Sequence, residues 1–130
     1  MDASAIKLKL IYPKWKKLPG QTTFNLPPHG PVAFAATLPE YVDISFTDEN
    51  VEDINFDEPC DLVALSMMLS TQVKRGWEIA AEFQKRGKTV IAGGIATMLH
   101  AEDMVKHLDS VFLGEAEGRS EQMLQDWRKR

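Results

Sequence analysis

Residues 89–96, Thr-Val-Ile-Ala-Gly-Gly-Ile-Ala, constrain the possible folds of this chain more than any other stretch. The apolar, partly β-branched run 90–92 predicts a buried strand, and two glycines end that strand abruptly. Because Gly93 and Gly94 carry no side chains, another group can come close to the backbone at the carboxyl end of the strand. The stretch therefore predicts an α/β domain that binds a ligand where its strands end.

Strand patterns alternate with helical patterns along the whole chain. Strands are predicted at 6–12, 41–46, 61–68, 89–92 and 109–113, and helices at 31–38, 70–86, 101–108 and 120–129. Such alternation favours right-handed crossovers and a parallel sheet with helices on both faces. We therefore predict a three-layer α/β fold whose five parallel strands lie in the flavodoxin-like, Rossmann-like order 2-1-3-4-5. In that order, ligands bind beyond the carboxyl ends of the strands, near the switch between strands one and three.

The helix predicted at 70–86 has the most complete set of local signals. Ser70 or Thr71 is expected to cap its start, and Gly87 its end. Its apolar face is predicted to carry Val73, Trp77, Ala80 and Ala81. Residues 50–59 are instead acidic and irregular, which predicts a loop between the second and third strands.

Length, composition and charge limit the classes of protein to which this chain can belong. The chain has 130 residues and 44% apolar content, which suits one domain with one core over residues 1–130. It has no run of 18 apolar residues and no signal peptide, so we expect no membrane span and a cytoplasmic protein. A net charge of −4 offers no general attraction to nucleic acid. The single cysteine, Cys60, excludes an internal disulfide and a cysteine-rich metal or iron–sulfur site within the chain.

Small or flexible residues follow three of the predicted inner strands. They are Ser66, Ser70 and Thr71 after the third strand, Gly93 and Gly94 after the fourth, and residues 114–118 after the fifth. Turns and helix caps explain any one of these loops as well as a ligand does. Taken together, the three loops favour a groove that admits the tail of a ligand.

Other ligand sites of this fold class find little support. The first strand is followed by neither a G-x-G-x-x-G loop nor a Gly/Lys phosphate loop, and the hydroxyl-rich loop of flavodoxins is replaced by proline and lysine. A phosphoacceptor domain requires an aspartate where this chain has Ser66 and a lysine where it has Gly114. We therefore favour a flavin or nucleotide site less than either of the two hypotheses about function given below.

Residues 63–71 and 90–94 resemble the cobalamin-binding fold, in which a serine and neighbouring residues line the slot for the cofactor's nucleotide tail and a glycine pair forms its floor. A narrower resemblance, over about residues 6–128, is to the N-terminal cobalamin-binding domain of radical SAM proteins. It rests on Leu-Pro-Pro-His-Gly at 26–30, Asp48-Glu49 after strand two, Gly93-Gly94, and Gly-Glu-Ala-Glu-Gly at 114–118. The last of these is the most specific.

The resemblance implies a set of cofactor contacts and a partner domain. The implied cobalamin contacts are Ser66, Met68, Ser70, Thr71, Gly93 and Gly94 for the nucleotide tail, Gly114, Glu115 and Glu117 for the corrin or the partner domain, and Asp48 and Glu49 as further contacts. The implied partner is a C-terminal radical SAM domain of the same protein, which would hold the [4Fe-4S] cluster and S-adenosylmethionine. The chain would then be the N-terminal piece of a methyltransferase or cyclase.

Two features depart from related cobalamin proteins. The chain lacks the Asp-x-His-x-x-Gly motif whose histidine binds cobalt, and His29 is interpreted as a histidine at the start of a helix. His100 and His107 are expected at the surface, so no metal ligand is assigned. With one cysteine the chain by itself cannot hold the three-cysteine cluster, so it carries no catalytic residue of its own. The second hypothesis is accordingly the same fold without a cofactor, acting as a docking or regulatory module.

Overall fold

The computed structural model describes residues 6–15, 31, 35–36 and 38–111. Its strands are β1 (Ile6–Tyr12), β2 (Val42–Asp48), β3 (Leu62–Ser66), β4 (Thr89–Gly93) and β5 (Ser110–Val111). Its helical elements are a 3₁₀ turn (Ser70–Gln72), α1 (Val73–Lys85), α2 (Ile95–Leu99) and α3 (Ala101–His107). Residues 31, 35 and 36 are also helical, within the first helix predicted from the sequence. None of the helices in these ranges is long and apolar enough to cross a membrane.

The strands form a parallel sheet. β1 pairs with β2 on one side and with β3 on the other, β4 pairs with β3, and the two-residue β5 pairs with β4. The predicted α/β fold built on a parallel sheet is therefore confirmed. The predicted fifth strand, 109–113, is described as strand only at Ser110–Val111, and its residues 112–113 lie outside the described ranges.

Alternation along the strands creates two apolar faces. On one face, Ile6, Leu8 and Leu10 of β1 form a cluster with neighbouring strands, and Ala35 and Leu38 pack against it. On the other face, the cluster is completed by residues of α1 and α3, including Phe83 and Met104. All five residues of β3 are buried, as expected for a central strand covered on both sides. Burying each such leucine or isoleucine contributes about 2 kcal/mol, so these two clusters hold the layers together.

The connection between β2 and β3 contains no helix. We call residues 49–61 the acidic strap. Its Ile54 and Phe56 pack against the α1 face of the sheet. Three of its carboxylates are paired with cations of the rest of the domain. Glu49 pairs with Arg75, Arg86 Nη1 lies 2.5 Å from Asp57 Oδ1, and Lys9 Nζ lies 2.6 Å from Glu58 Oε1. The prediction of an irregular segment is thus confirmed, and ion pairs join the strap to β1, to α1 and to the residue after α1, where other α/β domains place a helix.

The structure corrects several local predictions. The strand predicted at 61–68 ends at Ser66, and the short helix α2 was not predicted. Neither Ser70 nor Thr71 caps α1 through its side chain, because the chain first forms a 3₁₀ turn and the position before α1 is taken by Gln72. Gly87 follows α1 with φ of +81°, as predicted for the end of a helix.

The buried face of α1 is rotated relative to the predicted face. Ala81 is exposed and Trp77 is half-buried, whereas Gly76 and Phe83 are buried. The reason lies at Gly76, where a Cβ atom would collide with the Met67 sulfur. At Gly76, a residue without a side chain, α1 therefore packs against Met67, and a search for apolar side chains does not detect such a position.

We predict that Gly94→Ala destabilises the fold more than Gly87→Ala. Both glycines have positive φ, +102° and +81°, so alanine is strained at each. At Gly94 the new Cβ would also lie 2.9 Å from the Met67 carbonyl carbon, whereas nothing lies within 4 Å at Gly87. Urea unfolding should show losses of about 3 kcal/mol for Gly94→Ala and about 1 kcal/mol for Gly87→Ala. Equal losses would contradict the close contact with Met67.

Candidate functional site

The carboxyl ends of the strands bring the predicted site residues to one edge of the sheet. Tyr12 of β1 lies opposite Asp48 of β2, and Ser66 of β3 lies opposite Gly93 of β4. Because the strands are parallel, all four residues lie at the same edge. We call this the carboxyl edge.

Ser66 is the last residue of β3, and it is buried with 7% of its surface exposed to solvent. Its hydroxyl makes no hydrogen bond within the described ranges, yet it is not sealed from solvent. A nearly buried hydroxyl at the end of a central strand is a ready donor and acceptor for a ligand. Ser66 therefore fits the position that the sequence assigned to it.

The glycine pair serves the packing of the strand ends themselves. The Met67 N–H donates to the Gly93 carbonyl at 3.0 Å, and the Ala96 N–H donates to the Met67 carbonyl at 3.0 Å. A Cβ on Gly94 would lie 3.0 Å from the Met67 nitrogen and 2.9 Å from its carbonyl carbon. The close approach that the sequence assigned to a ligand is thus made at Gly94 by the backbone of Met67.

Gln72 shapes the loop that carries Met68, Ser70 and Thr71. Its fully buried side chain accepts hydrogen bonds from the N–H groups of Met68 and Leu69, each at 2.9 Å. Its Nε2 donates to the Pro13 carbonyl at 2.6 Å. One amide therefore joins the loop after β3 to the end of β1, which is the switch point of the fold. Ser70 and Thr71 remain exposed above it.

Ser70 and His100 connect the loops that follow β3 and β4. The Ser70 hydroxyl and His100 Nε2 are hydrogen-bonded at 3.1 Å. Leu69 and Leu99, the residues next to them in sequence, are 43% and 71% exposed. This part of the carboxyl edge therefore presents a polar pair beside two exposed leucines. His107 lies elsewhere, stacked on Trp77 with ring centroids 4.0 Å apart.

Asp48 and Glu49 lie on the β1–β2 side of the edge, and both already have partners. Asp48 Oδ1 accepts hydrogen bonds from the N–H and the side chain of Asn50, each at 2.9 Å. Glu49 binds Arg75 through both carboxylate oxygens, with Arg75 Nη2 at 2.6 Å, and accepts the Lys14 N–H at 3.1 Å. These carboxylates therefore brace the loops after β1 and β2.

The pKa values follow from these contacts. Burial alone would raise the pKa of Glu49, but the hydrogen bonds from Arg75 and Lys14 outweigh it, so the net pKa is lowered. Burial, with a contribution from the charge of Asp48, raises the pKa of Tyr12, although a hydrogen bond with Gln72 acts in the opposite direction. Glu49 is therefore a firmly ionised group and Tyr12 a firmly neutral one at pH 7.

The predicted contacts Gly114, Glu115 and Glu117 lie outside the described ranges. His29, which was interpreted as a histidine at the start of a helix, also lies outside them. Within residues 6–15, 31, 35–36 and 38–111, no group of three or more His, Cys, Asp or Glu side chains could hold a metal ion.

Sequence reasoning did not find Gln72, Arg75 or His100 at this edge. Gln72 had a recognisable signal, because a glutamine at the third position of a helix start often bonds back to the backbone before the helix. Arg75 and His100 gave no recognisable signal in the sequence, because their partners Glu49 and Ser70 are 26 and 30 residues away along the chain.

Comparison with known proteins gives one finding that bears on function. The chain is 37% identical over 84 residues to the bacteriochlorophyllide d C-8(2)-methyltransferase of Chlorobaculum tepidum. The match covers 64% of this chain and 18% of that protein, so the chain spans less than a fifth of its relative. No protein-family model matches the chain, and no solved structure does.

We predict that Gln72→Met destabilises the fold by about 3 kcal/mol, because three backbone groups lose their partner in one buried and two part-buried hydrogen bonds. Gln72→Glu should be at least as destabilising as Gln72→Met at pH 7, since it buries a carboxylate whose second oxygen would face the Pro13 carbonyl oxygen in place of the Nε2 donor. Gln84→Met is the matched control, because the Gln84 amide bonds near the surface to the His107 carbonyl and Asp109. Urea unfolding measures all three, and a loss at Gln84 equal to that at Gln72 would contradict the bracing role.

We predict that the Glu49–Arg75 ion pair makes the stability of the fold depend on pH in the acidic range. The folded-state pKa of Glu49 is lowered below the usual value of about 4.3. The pair therefore stabilises the fold above that value, and the stabilisation is lost as the pH falls through the lowered folded pKa. Glu49→Gln should cost about 2 kcal/mol at pH 7. Its deficit should shrink below about pH 4, where the wild type loses the same interaction.

The control for the acid experiment is Glu52→Gln. Glu52 is an exposed residue of the acidic strap that forms no ion pair with any residue the structure describes. The substitution Glu52→Gln removes one negative charge, as Glu49→Gln does, without removing a partner of Arg75. Urea unfolding between pH 2 and 7 should show little change for this variant. A deficit for Glu49→Gln that stays constant across the range would contradict the lowered pKa.

Proposed function

We propose that this chain is the cobalamin-binding module of a radical SAM enzyme, most specifically of a methyltransferase. In this proposal it holds the nucleotide tail of the cofactor at the carboxyl edge of the sheet. The observation that carries the proposal is the hydroxyl of Ser66, which is nearly buried at the end of a central strand and has no hydrogen-bond partner among the described residues. The similarity to a bacteriochlorophyllide d methyltransferase favours methyl transfer over cyclisation and suggests a tetrapyrrole as substrate.

The complete fold in this proposal is the three-layer, five-stranded sheet in the order 2-1-3-4-5. The pairings of β1 to β4 and the short pairing of β4 with Ser110–Val111 support it. In that arrangement the loops after β3 and β4 border the switch point, where ligands of doubly wound sheets bind.

The residues at the carboxyl edge fit the nucleotide tail in part. Ser66 would donate or accept at the base of the groove, and the exposed hydroxyls of Ser70 and Thr71 would contact the tail above it. Met68 would provide apolar surface. Gly93 and Gly94 fit a different role, since Met67 occupies the space at Gly94. They would set how closely the loop after β4 approaches the loop after β3. When bound, cobalamin supplies a cobalt centre that can carry a methyl group.

The remaining parts of the proposal concern a partner domain. A C-terminal radical SAM domain of the same protein would bind the [4Fe-4S] cluster and S-adenosylmethionine, because this chain has a single cysteine. Gly114, Glu115 and Glu117 would border the corrin or that domain. The relative supports a longer parent protein, since the 84 matched residues are only 18% of its length.

A second candidate function is a docking or regulatory module of the same fold without cofactor. Two observations favour it. The chain lacks the Asp-x-His-x-x-Gly motif, and the glycine cradle at Gly94 is filled by Met67. This candidate predicts that the purified chain does not bind cobalamin.

Titration with hydroxocobalamin, followed by its visible absorbance and by calorimetry, distinguishes the two candidates. We expect a stoichiometric red complex that Ser66→Val weakens tenfold or more, because a branched side chain replaces the hydroxyl and fills the base of the groove. Thr47→Val is the matched control, since Thr47 is also 7% exposed near the end of a strand but lies on β2. No binding by the wild type would refute the cofactor role and support the docking module. Equal weakening by both variants would refute the site at Ser66.

A further inference from the structure

β2 is an edge strand of the sheet. β1 pairs with one side of β2, and no strand among the described residues pairs with the other side. Natural sheets protect such edges with very short strands, prolines, lysines or bulges, because unpaired N–H and C=O groups attract other strands. β2 has seven residues in unbroken register with β1, and it contains no proline, lysine or glycine. Its outer side is therefore suited to pair with another strand.

Two hydrogen bonds at the ends of the β1–β2 ladder show which residues of β2 point outward. The Ile6 N–H donates to the Tyr41 carbonyl at 3.0 Å, and the Glu49 N–H donates to the Tyr12 carbonyl at 3.0 Å. Alternate residues of a strand direct their backbone groups to opposite sides. The odd-numbered residues of β2 therefore bond to β1, and the even-numbered residues direct their N–H and C=O groups outward. The outward residues are Val42, Ile44, Phe46 and Asp48.

Local turns already use two of these outward groups. The Val42 N–H donates to the Pro39 carbonyl at 3.0 Å. The Asp48 carbonyl accepts the N–H of Val51 at 3.0 Å and that of Glu52 at 3.1 Å. A strand that pairs with this edge must therefore leave these two groups aside and satisfy the others.

A second copy of β2, antiparallel and centred on Ser45, meets this requirement. Within the described part of the chain, the outward groups that lack partners are the Val42 carbonyl, the Asp48 N–H and both groups of Ile44 and Phe46. In this register Ile44 lies opposite Phe46 of the second copy, and the two exchange both of their N–H···O=C bonds. Val42 lies opposite Asp48 of the second copy, whose N–H donates to the Val42 carbonyl. The pairing leaves out only the two groups that the turns already use.

The neighbouring registers do not match in this way. With the axis at Ile44, the Phe46 carbonyl faces the occupied Val42 N–H, and the Asp48 N–H has no partner. With the axis at Phe46, the Ile44 N–H faces the occupied Asp48 carbonyl. The free backbone groups therefore select the register centred on Ser45.

The apolar side chains of β2 agree with the same register. Phe46 is 39% exposed, and Ile44 on the same face of β2 is half-buried. Each would lie directly opposite the other residue of the second copy. Aromatic and β-branched side chains paired in this way stabilise antiparallel strands.

Charges do not oppose the contact. Asp43 would lie opposite Thr47 of the second copy, so two acids do not face each other there. The carboxylate that accepts the Ser45 hydroxyl at the axis belongs to Glu58, and Lys9 Nζ neutralises it at 2.6 Å. Repulsion between the two copies at the axis is therefore small.

We propose that the outer side of β2 is a dimer interface, in which two copies of this chain pair antiparallel about a two-fold axis at Ser45. The two sheets then form one continuous sheet, and a single self-complementary contact covers both exposed edges. The inference goes beyond the proposed function and does not depend on it, because it uses the outward groups of an edge strand and not the loops after β3 and β4.

Sedimentation equilibrium of the chain tests the dimer. We expect a monomer–dimer equilibrium with a Kd of about 100 μM or lower. Ile44→Pro should raise this Kd tenfold or more, because proline removes an outward N–H that has no partner within the described part of the chain. Phe46→Lys should do the same by placing a charge at the edge, and it keeps the test valid if Ile44→Pro does not fold.

Val105→Lys is the matched control for Phe46→Lys. Val105 is also an exposed apolar residue, and it lies on α3, which contacts β5 at the opposite edge of the described sheet. This variant should leave the Kd of the dimer unchanged.

Oxidative cross-linking tests the register. In the proposed dimer the two Ser45 residues form a non-hydrogen-bonded pair with Cα atoms about 4.5 Å apart, which is within the range of a disulfide. In a Cys60→Ala background, Ser45→Cys should therefore give a disulfide-linked dimer. Asp43→Cys is the control, because its two copies would be about 14 Å apart and should not cross-link.

Three results would overturn the proposal. The first is a chain that stays monomeric up to about 1 mM. The second is a dimer that neither Ile44→Pro nor Phe46→Lys weakens, because another surface would then hold it. The third is cross-linking of Asp43→Cys as efficient as that of Ser45→Cys, because the register would be wrong. A monomer that binds cobalamin would refute this interface alone, and a dimer that does not bind cobalamin would refute the proposed cofactor role alone.

Discussion

The contact between Met67 and Gly94 is the constraint on which the carboxyl edge depends. Met67 is hydrogen-bonded through its N–H to Gly93 and through its carbonyl to Ala96, while its backbone fills the space beside Gly94. The Met67 sulfur in turn contacts Gly76 of α1. One residue therefore sets the separation of β3, β4 and α1 at the edge where ligands of this fold bind. A larger residue at either glycine would separate these elements.

Hydrogen bonds and an ion pair also join the loops of the carboxyl edge. Gln72 joins the loop after β3 to the end of β1, and Arg75 joins α1 to Glu49 after β2. Their partners come from separate elements, so the loops of the edge are oriented by side chains of one helix start. Within the described residues, each buried side-chain amide or carboxylate at this edge is paired, so no unpaired polar group there lowers the stability of the fold.

The structure changes the physical basis for assigning a ligand to this edge. The sequence argument relied on the glycine pair as an opening, but the opening at Gly94 is used by Met67. Within the described residues the hydroxyl of Ser66 has no hydrogen-bond partner, and Ser70, His100 and two exposed leucines lie at the same edge. The proposed ligand site therefore depends on this hydroxyl and no longer on the glycine pair.

The sequence by itself determined the elements whose signals are local. Alternation of apolar residues, the apolar run at the start of β3 and the glycines at 87 and 93–94 predicted the strands, the end of α1 and the parallel α/β class. Tertiary structure decided which polar groups are buried and with whom, as for Gln72 with Pro13, Glu49 with Arg75 and Lys9 with Glu58. These partners are 59, 26 and 49 residues apart. Periodicity reports which face of an element is apolar, but pairing of a buried polar group depends on what the rest of the chain brings next to it.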